Sequence, residues 1–464
     1  MGEQPYLFWV VAWLAAALTV VWVHWKRHTS SAGLVYAYVL NFLLLHWVAA
    51  SLYLVPWHRF PNPDAVRKGL EQSTYGMVAF AIGSLLLAPA IRRFFKAGEQ
   101  TGFVEQASDS LDYAYLALGG LSYAAILFAN LGQVPSLTAV VSACQQFLLV
   151  GLCLRCRSAW LKGKTDIALI WVGLGFVLPF FTIVTSGFLG FGALACYTML
   201  CFLSTMMRQR WQLITAGAVL GYLSLTLFVS YMRDRDDIRR SVWGQHEMTD
   251  RVDQVSNMLS RLEWFDPRED KQLERIDGRL NQDYLLGLAV ERLATQTSFA
   301  DGETIRDAVL ALVPRVIWPD KPVTAGSGRL VSRFTGLNFA RGTSVGLGHT
   351  MEFYVNFGTA GVILGLMFLG TVLTLIDLTA GSKLQSGNKL SFSVWYLAGM
   401  SMLNVGGSMV EMTASAGASV IAAWGLNQLV LHSFQRRAQH PGQAGLRRSS
   451  SRDLRERAVV RPAK

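Results

Sequence analysis

The sequence predicts an all-α fold: a polytopic integral membrane protein of about eleven transmembrane helices with one large extracytoplasmic loop. Three observations carry this. The 464 residues are 52% hydrophobic and only 16% charged, with a mean hydropathy of +0.32, a balance that belongs to chains solvated by lipid. Apolar runs of roughly 18 to 25 residues recur, the length a helix rising about 1.5 Å per residue needs to cross a hydrocarbon core of ~30 Å. The runs are also continuous, whereas a membrane β-barrel would show alternating strands of roughly ten residues.

In chain order the spans fall near 6–23, 34–56, 75–91, 112–131, 134–153, 167–184, 187–206, 212–232, 358–379, 390–409 and 413–432. Short polar turns at 130–135 and 182–188 join paired spans. No small-residue cleavage site follows the first span, so it reads as an uncleaved membrane helix. Lysine and arginine gather after spans one, three, five, seven and nine, for example Arg92, Arg93 and Lys96 or Arg155, Arg157, Lys162 and Lys164. The positive-inside rule makes those connections cytoplasmic. The amino terminus and the long loop are then outside, and the carboxyl terminus inside. Four regions result: an N-terminal bundle over 1–232, an extracytoplasmic loop over 233–350, a C-terminal bundle over 351–432 and a basic, disordered tail over 433–464.

Much of the chain reads as support. Asn41, His46, Asn130, Gln145 and Gln146 inside spans fit interhelical hydrogen bonding. No acid lies centrally in the first eight spans, which argues against ion-coupled transport. Cys153 and Cys156 have C-x-x-C spacing but no second ligand pair or nearby histidine, so they read as small apolar packers, and neither metal nor cofactor is expected. The net charge of +11 belongs partly to cytoplasmic loops and a tail suited to anionic membrane lipids, which gives no ground for nucleic-acid binding.

The long loop has two halves. Over 233–279 acids and bases alternate at helical spacing, as in Arg268, Glu269, Asp270, Lys271, Glu274 and Arg275, which reads as an exposed helical scaffold or lid. The second half is basic: between Val313 and His349 stand Arg315, Lys321, Arg329, Arg333 and Arg341, against Asp320 alone. Guanidinium groups match phosphate oxygens bidentately, and glycines at 326, 328, 336, 342, 346 and 348 let backbone N–H groups approach an anion. No Gly-x-x-x-x-Gly-Lys-[Ser/Thr] loop is present, so a nucleotide is not the expected ligand. A lipid-linked diphosphate is the natural anion at an outer membrane face.

The run Leu312-Val313-Pro314-Arg315-Val316-Ile317-Trp318-Pro319-Asp320-Lys321-Pro322, then Thr343-Ser344-Val345-Gly346 and Glu352-Phe353-Tyr354-Val355-Asn356-Phe357-Gly358-Thr359-Ala360-Gly361, resembles the oligosaccharide repeat-unit polymerases, the O-antigen (Wzy-type) polymerase family. The resemblance implies a glycosyltransferase of polysaccharide biosynthesis in a bacterial inner membrane. Such an enzyme transfers a growing glycan from undecaprenyl diphosphate onto the next undecaprenyl-diphosphate-linked oligosaccharide, making O-antigen or exopolysaccharide. A chain-length regulator and a flippase are its candidate protein partners. Departure of a lipid diphosphate needs fixed positive charge, which points to Arg315, Lys321, Arg329, Arg333 and Arg341, with Arg306 and Arg292 in second rank. The acceptor hydroxyl needs a base; the candidates are Glu352, His349 and Asp320, in that order, with ion pairing and interfacial packing as the alternative roles of the first two. Trp318 and Tyr354 are candidates to stack on sugar rings, or else anchor the interface. The rival readings are an O-antigen ligase, a lipid-linked oligosaccharide flippase or exporter, and a non-catalytic assembly subunit.

Overall fold

The computed structural model describes residues 3–27, 30–95, 109–128, 135–207, 210–244, 246–295, 298–313, 318, 326–339 and 345–439, and every regular element among them is helical. Helix α1 (Glu3–Lys26) is followed by α2 (Leu34–Phe42), which passes through one π-helical turn, Leu43–Trp47, into α3 (Val48–Leu52). Pro63 opens α4 (Pro63–Ile82), where its fixed φ and missing N–H suit the first helical turn; a second π turn, Gly83–Leu87, leads into α5 (Ala88–Phe95). The bundle continues with α6 (Asp109–Phe128), α7 (Pro135–Leu161), α8 (Thr165–Ser186), α9 (Leu189–Ser204) and α10 (Arg210–Trp243). Four short helices and a fifth follow: α11 (Met248–Ser260), α12 (Asp270–Leu280), α13 (Gln282–Thr295), α14 (Glu303–Ala311) and α15 (Ser327–Thr335). The chain ends on α16 (His349–Gln385), α17 (Lys389–Met400) and α18 (Met409–Gln439).

Seven of the described helical stretches are long and apolar enough to cross a membrane: Tyr6–Lys26, Leu34–Leu52, Pro63–Phe94, Thr165–Ser186, Ile214–Trp243, His349–Gln385 and Met409–Gln428. These point to a multi-pass membrane protein. Of the other expected spans, α6 and α7 have 20 and 27 residues, but α9 has 16 and α17 only 12. At about 1.5 Å per residue the last two reach about 24 and 18 Å, short of a ~30 Å core. Two expected boundaries also move: α10 runs unbroken past residue 232 to Trp243, and α18 continues through the start of the tail to Gln439. Residues 440–464 lie outside the described residues.

Helix α4 is the shared partner of α13 and α16, packing on α13 around Gly69 and on α16 around Gly76. The α4–α13 crossing is made backbone to backbone. A Cβ on Gly69 would sit 1.9 Å from the Asp283 carbonyl oxygen, and one on Gly287 would sit 1.7 Å from that of Ala65, so only glycine fits at either point. The approach brings α13 close enough for Asp283 Oδ1 to meet His46 Nδ1 at 2.6 Å, with both side chains buried. At the other end of α2, buried Asp377 of α16 accepts from the Ala32 and Leu34 backbone N–H groups at 3.0 and 2.9 Å and from Ser31 Oγ at 2.6 Å, an acid satisfying the exposed donors of a helix start.

The shortness of α17 has a cause. After Met400 the chain leaves the helix and runs as a buried turn over 401–408, with Leu403 and Val405 almost fully enclosed. Irregular backbone at such depth survives only where its polar groups are paired. Asn41 Nδ2 donates to the Leu403 carbonyl at 2.6 Å, and the Gly348 and His349 N–H groups donate to Gly406 and Val405 at 3.2 and 3.0 Å. The turn is thus held by α2 on one side and by the start of α16 on the other.

Candidate functional site

Helix α16 is two pieces. At Phe357 and Gly358 the dihedrals leave the helical region, with Gly358 at φ 62°, ψ −152°, a conformation open essentially to glycine. The kink detaches a short segment carrying His349, Glu352 and Asn356 from the long apolar stretch after it. All three side chains are buried, Glu352 and His349 completely. A sealed carboxylate needs donors, and Glu352 Oε2 accepts the Met409 backbone N–H at 2.6 Å, a bond to the first residue of α18, where helix-terminal N–H groups favour negative charge. His349 Nδ1 lies 3.3 Å from Tyr38 Oη. Asn356 Nδ2 donates to Thr304 Oγ1 and to the Glu352 carbonyl, each at 2.7 Å, while its Oδ1 accepts the Gly302 N–H at 2.9 Å. The segment therefore clamps the start of α14, the helix that feeds the basic loop.

Beside it lies a cavity of about 2080 Å³. Its long wall is apolar, from Leu169, Val172 and Phe176 of α8 through Leu200 of α9 to Leu220 and Leu223 of α10. Its polar end is made by Gln282 of α13, by Asn404, Gly406 and Ser408 of the buried turn, and by Glu411. Glu411 is fixed by a reciprocal cap: its N–H donates to Ser408 Oγ and its Oε2 accepts the Ser408 N–H, both at 3.3 Å. This Ser-x-x-Glu pattern is a capping box, readable from sequence.

Both described ends of the basic loop converge on the start of α18. Before the loop, the Ala308 carbonyl of α14 accepts from Thr413 Oγ1 at 2.6 Å. After it, Ser327 Oγ of α15 donates to Glu411 Oε1 at 2.9 Å. Phe339 and Val345, on either side of 340–344, line the cavity as well.

The expected site residues fare unevenly. Arg315, Asp320, Lys321 and Arg341 lie outside the described residues. Arg333 is half-exposed and forms a 2.8 Å ion pair with Glu303, so the acid opposing it comes from before the loop. Arg329 is exposed, and Arg306, also exposed, lies 3.4 Å from its neighbour Asp307. Arg292 is half-buried with its guanidinium against Gly336. Trp318 is exposed, whereas Tyr354 packs among apolar side chains with its ring 6.4 Å from that of Phe299, so its ring is engaged by protein. Glu352 and His349 share one short segment as expected, but burial takes both off the cavity wall; Glu411 is the acid that stands there, together with Asp277. The scaffold half of the loop is also less exposed than its charge pattern implies: Gln272, Leu273, Ile276 and Arg239 are buried. Among the described residues no group of three or more His, Cys, Asp or Glu side chains is placed to hold a metal ion.

The family model described as a domain of unknown function (DUF8712) matches residues 79–430, and the chain belongs to that family. The matched stretch holds Glu352, Glu411 and helices α11 to α15, while Asn41 and His46 precede it. No curated protein and no solved structure matches the chain.

Proposed function

We propose that this protein is a membrane glycosyltransferase that polymerises undecaprenyl-diphosphate-linked oligosaccharide repeat units at the outer face of a bacterial inner membrane. The observation that carries the reading is the two-sided cavity. An apolar wall along α8, α9 and α10 suits a polyprenyl chain, and its polar end, by the start of α18 where Glu411 and Thr413 hold the basic loop's two anchors, suits a sugar diphosphate. The reading includes the finer topology of about eleven spans, with the amino terminus and large loop outside, and takes the short helices α9 and α17 as crossings completed by the non-helical backbone that follows each.

In this reading the acceptor hydroxyl oxygen bonds to the anomeric carbon as the bond from that carbon to the diphosphate oxygen breaks. Lipid diphosphate leaves, its charge stabilised by Arg315, Lys321, Arg329 and Arg341. The hydroxyl proton passes to Glu411, which replaces Glu352 as the leading base because a base must reach the substrate. Glu352 and His349 then position the α18 start and the 401–408 turn. The test is product sizing with purified protein in nanodiscs and a lipid-linked repeat unit. A ladder of glycan lengths from wild type, absent with folded Arg315→Ala, supports the reading.

A second reading is a lipid-linked oligosaccharide exporter, which the depth of the cavity favours: it extends along α9 to Ser204 and past its end to Met207. Binding of the lipid with no ladder, and translocation in vesicles, would put this reading first. A ladder-free transfer to a lipid A core acceptor would indicate a ligase.

A further inference from the structure

The outer part of the cavity wall carries a basic cluster that lies apart from the basic loop in sequence. Arg235 and Arg239, one turn apart on α10, and Arg279 on α12 all line the cavity. Arg239 is 7% exposed and held in a fixed pose: its Nε donates to the Gly187 carbonyl at 3.3 Å, and its guanidinium lies 4.5 Å over the Phe188 ring and 5.2 Å over that of Trp243. Arg235 is half-buried, its Nη1 3.6 Å from the exposed carboxylate of Asp236. Arg279 is half-buried; burial pushes its guanidinium below its ordinary value, and the charges of Arg235 and Arg239 push the same way while the Tyr231 phenol opposes them. Asp277, the acid on this wall, is bonded to Asn281 Nδ2 at 2.6 Å and to Tyr53 Oη at 3.4 Å.

We propose that Arg235, Arg239 and Arg279 form a binding site for a phosphate or diphosphate group at the end of the apolar wall. Three guanidinium groups on one stretch of a largely apolar wall give it a positive potential that attracts an anionic ligand. Guanidinium forks suit tetrahedral phosphate oxygens, and Arg239 presents one in a fixed pose. The adjoining apolar wall suits a lipid chain on the same ligand, and in that respect alone the proposal rests on the lipid-linked substrate proposed above. A head group docked here sits on α10 and α12, apart from the loop arginines assigned above to the leaving diphosphate.

The test measures binding to full-length protein in nanodiscs by native mass spectrometry, with undecaprenyl diphosphate, inorganic diphosphate and undecaprenol as separate probes. The variants are Arg235→Gln and Arg279→Gln, with Arg240→Gln as the control because Arg240 is 79% exposed and paired with Asp237. Each site variant is expected to bind the lipid diphosphate about tenfold more weakly, the loss of one charge-assisted contact, with the control at wild-type affinity. A parallel loss for inorganic diphosphate makes free anions ligands too; loss in the lipid arm alone confines the site to lipid head groups. Unchanged affinity in both diphosphate arms overturns the proposal, as does an equal loss for undecaprenol, which would make the arginines mere packing for the lipid chain. Protein that binds through these arginines yet makes no polymer overturns the polymerase reading and leaves this site standing.

Discussion

Glu352 accepts the backbone N–H of Met409 at 2.6 Å with its carboxylate fully enclosed, so the acid that sequence marks as a base is the fastening between α16 and α18. Glu352→Ala leaves that N–H buried without an acceptor, at a cost of about 1–3 kcal/mol. Glu352→Gln keeps an acceptor oxygen and loses less. Thermal unfolding in detergent should order the proteins wild type, Gln, Ala; an Ala variant as stable as wild type would remove the fastening role.

The His46–Asp283 contact at 2.6 Å ties the π turn after α2 to helix α13. Removing either partner leaves the other buried without its hydrogen-bond partner, so Asp283→Ala and His46→Ala should each cost about 1–3 kcal/mol. Their double variant should cost much less than the sum. Additive losses would show that the pair does not act as a unit.

Asp283 also makes a pH prediction. Burial raises its carboxyl above the usual carboxylate range, and His46 pulls it back in part. The folded protein therefore holds this proton more tightly than the unfolded chain. Its contribution to stability is full below the ordinary value of about 3.9 and falls as pH rises through the raised one. Urea midpoints measured from about pH 4 upward should decline more steeply for wild type than for Asp283→Asn. Parallel curves would contradict this.

Gly69 and Gly287 make the α4–α13 crossing, where a Cβ would meet a carbonyl oxygen at 1.9 or 1.7 Å. Gly69→Ala and Gly287→Ala should each destabilise by about 1–3 kcal/mol and loosen α13. Gly278, with nothing within 4 Å of an added Cβ, provides the contrast: alanine there should be neutral or stabilising by up to about 1 kcal/mol. Limited proteolysis of α12 and α13 reads both; equal behaviour of the three variants would refute the close crossing.

The helical class was legible because apolar run length is a one-dimensional property, and long stretches such as Thr165–Ser186 declare themselves. The lengths of α9 and α17 were not, because hydropathy does not distinguish a full helix from a short one followed by the buried turn at 401–408. At the site, sequence brought His349 and Glu352 onto one segment but gave no sign that both face inward, since burial depends on α18 and on Tyr38 from far along the chain. Glu411 was not among the residues picked from sequence, although its Ser408-x-x-Glu411 cap is a local signal there; its place on the cavity wall needed the fold. The arginines at 235, 239 and 279 looked like members of a solvated alternating pattern, because charge spacing carries no information about which face meets the cavity.

The most direct test of the account compares glycan ladders made from a lipid-linked repeat unit by wild type, Glu411→Gln and Glu352→Gln, each shown to be folded and to bind the lipid. The account predicts a ladder from wild type, loss of about 100-fold or more with Glu411→Gln as expected for removing a general base, and a shortened but measurable ladder with Glu352→Gln. A normal ladder from Glu411→Gln, or its loss only in Glu352→Gln, would contradict the assignment of the cavity acid as the base.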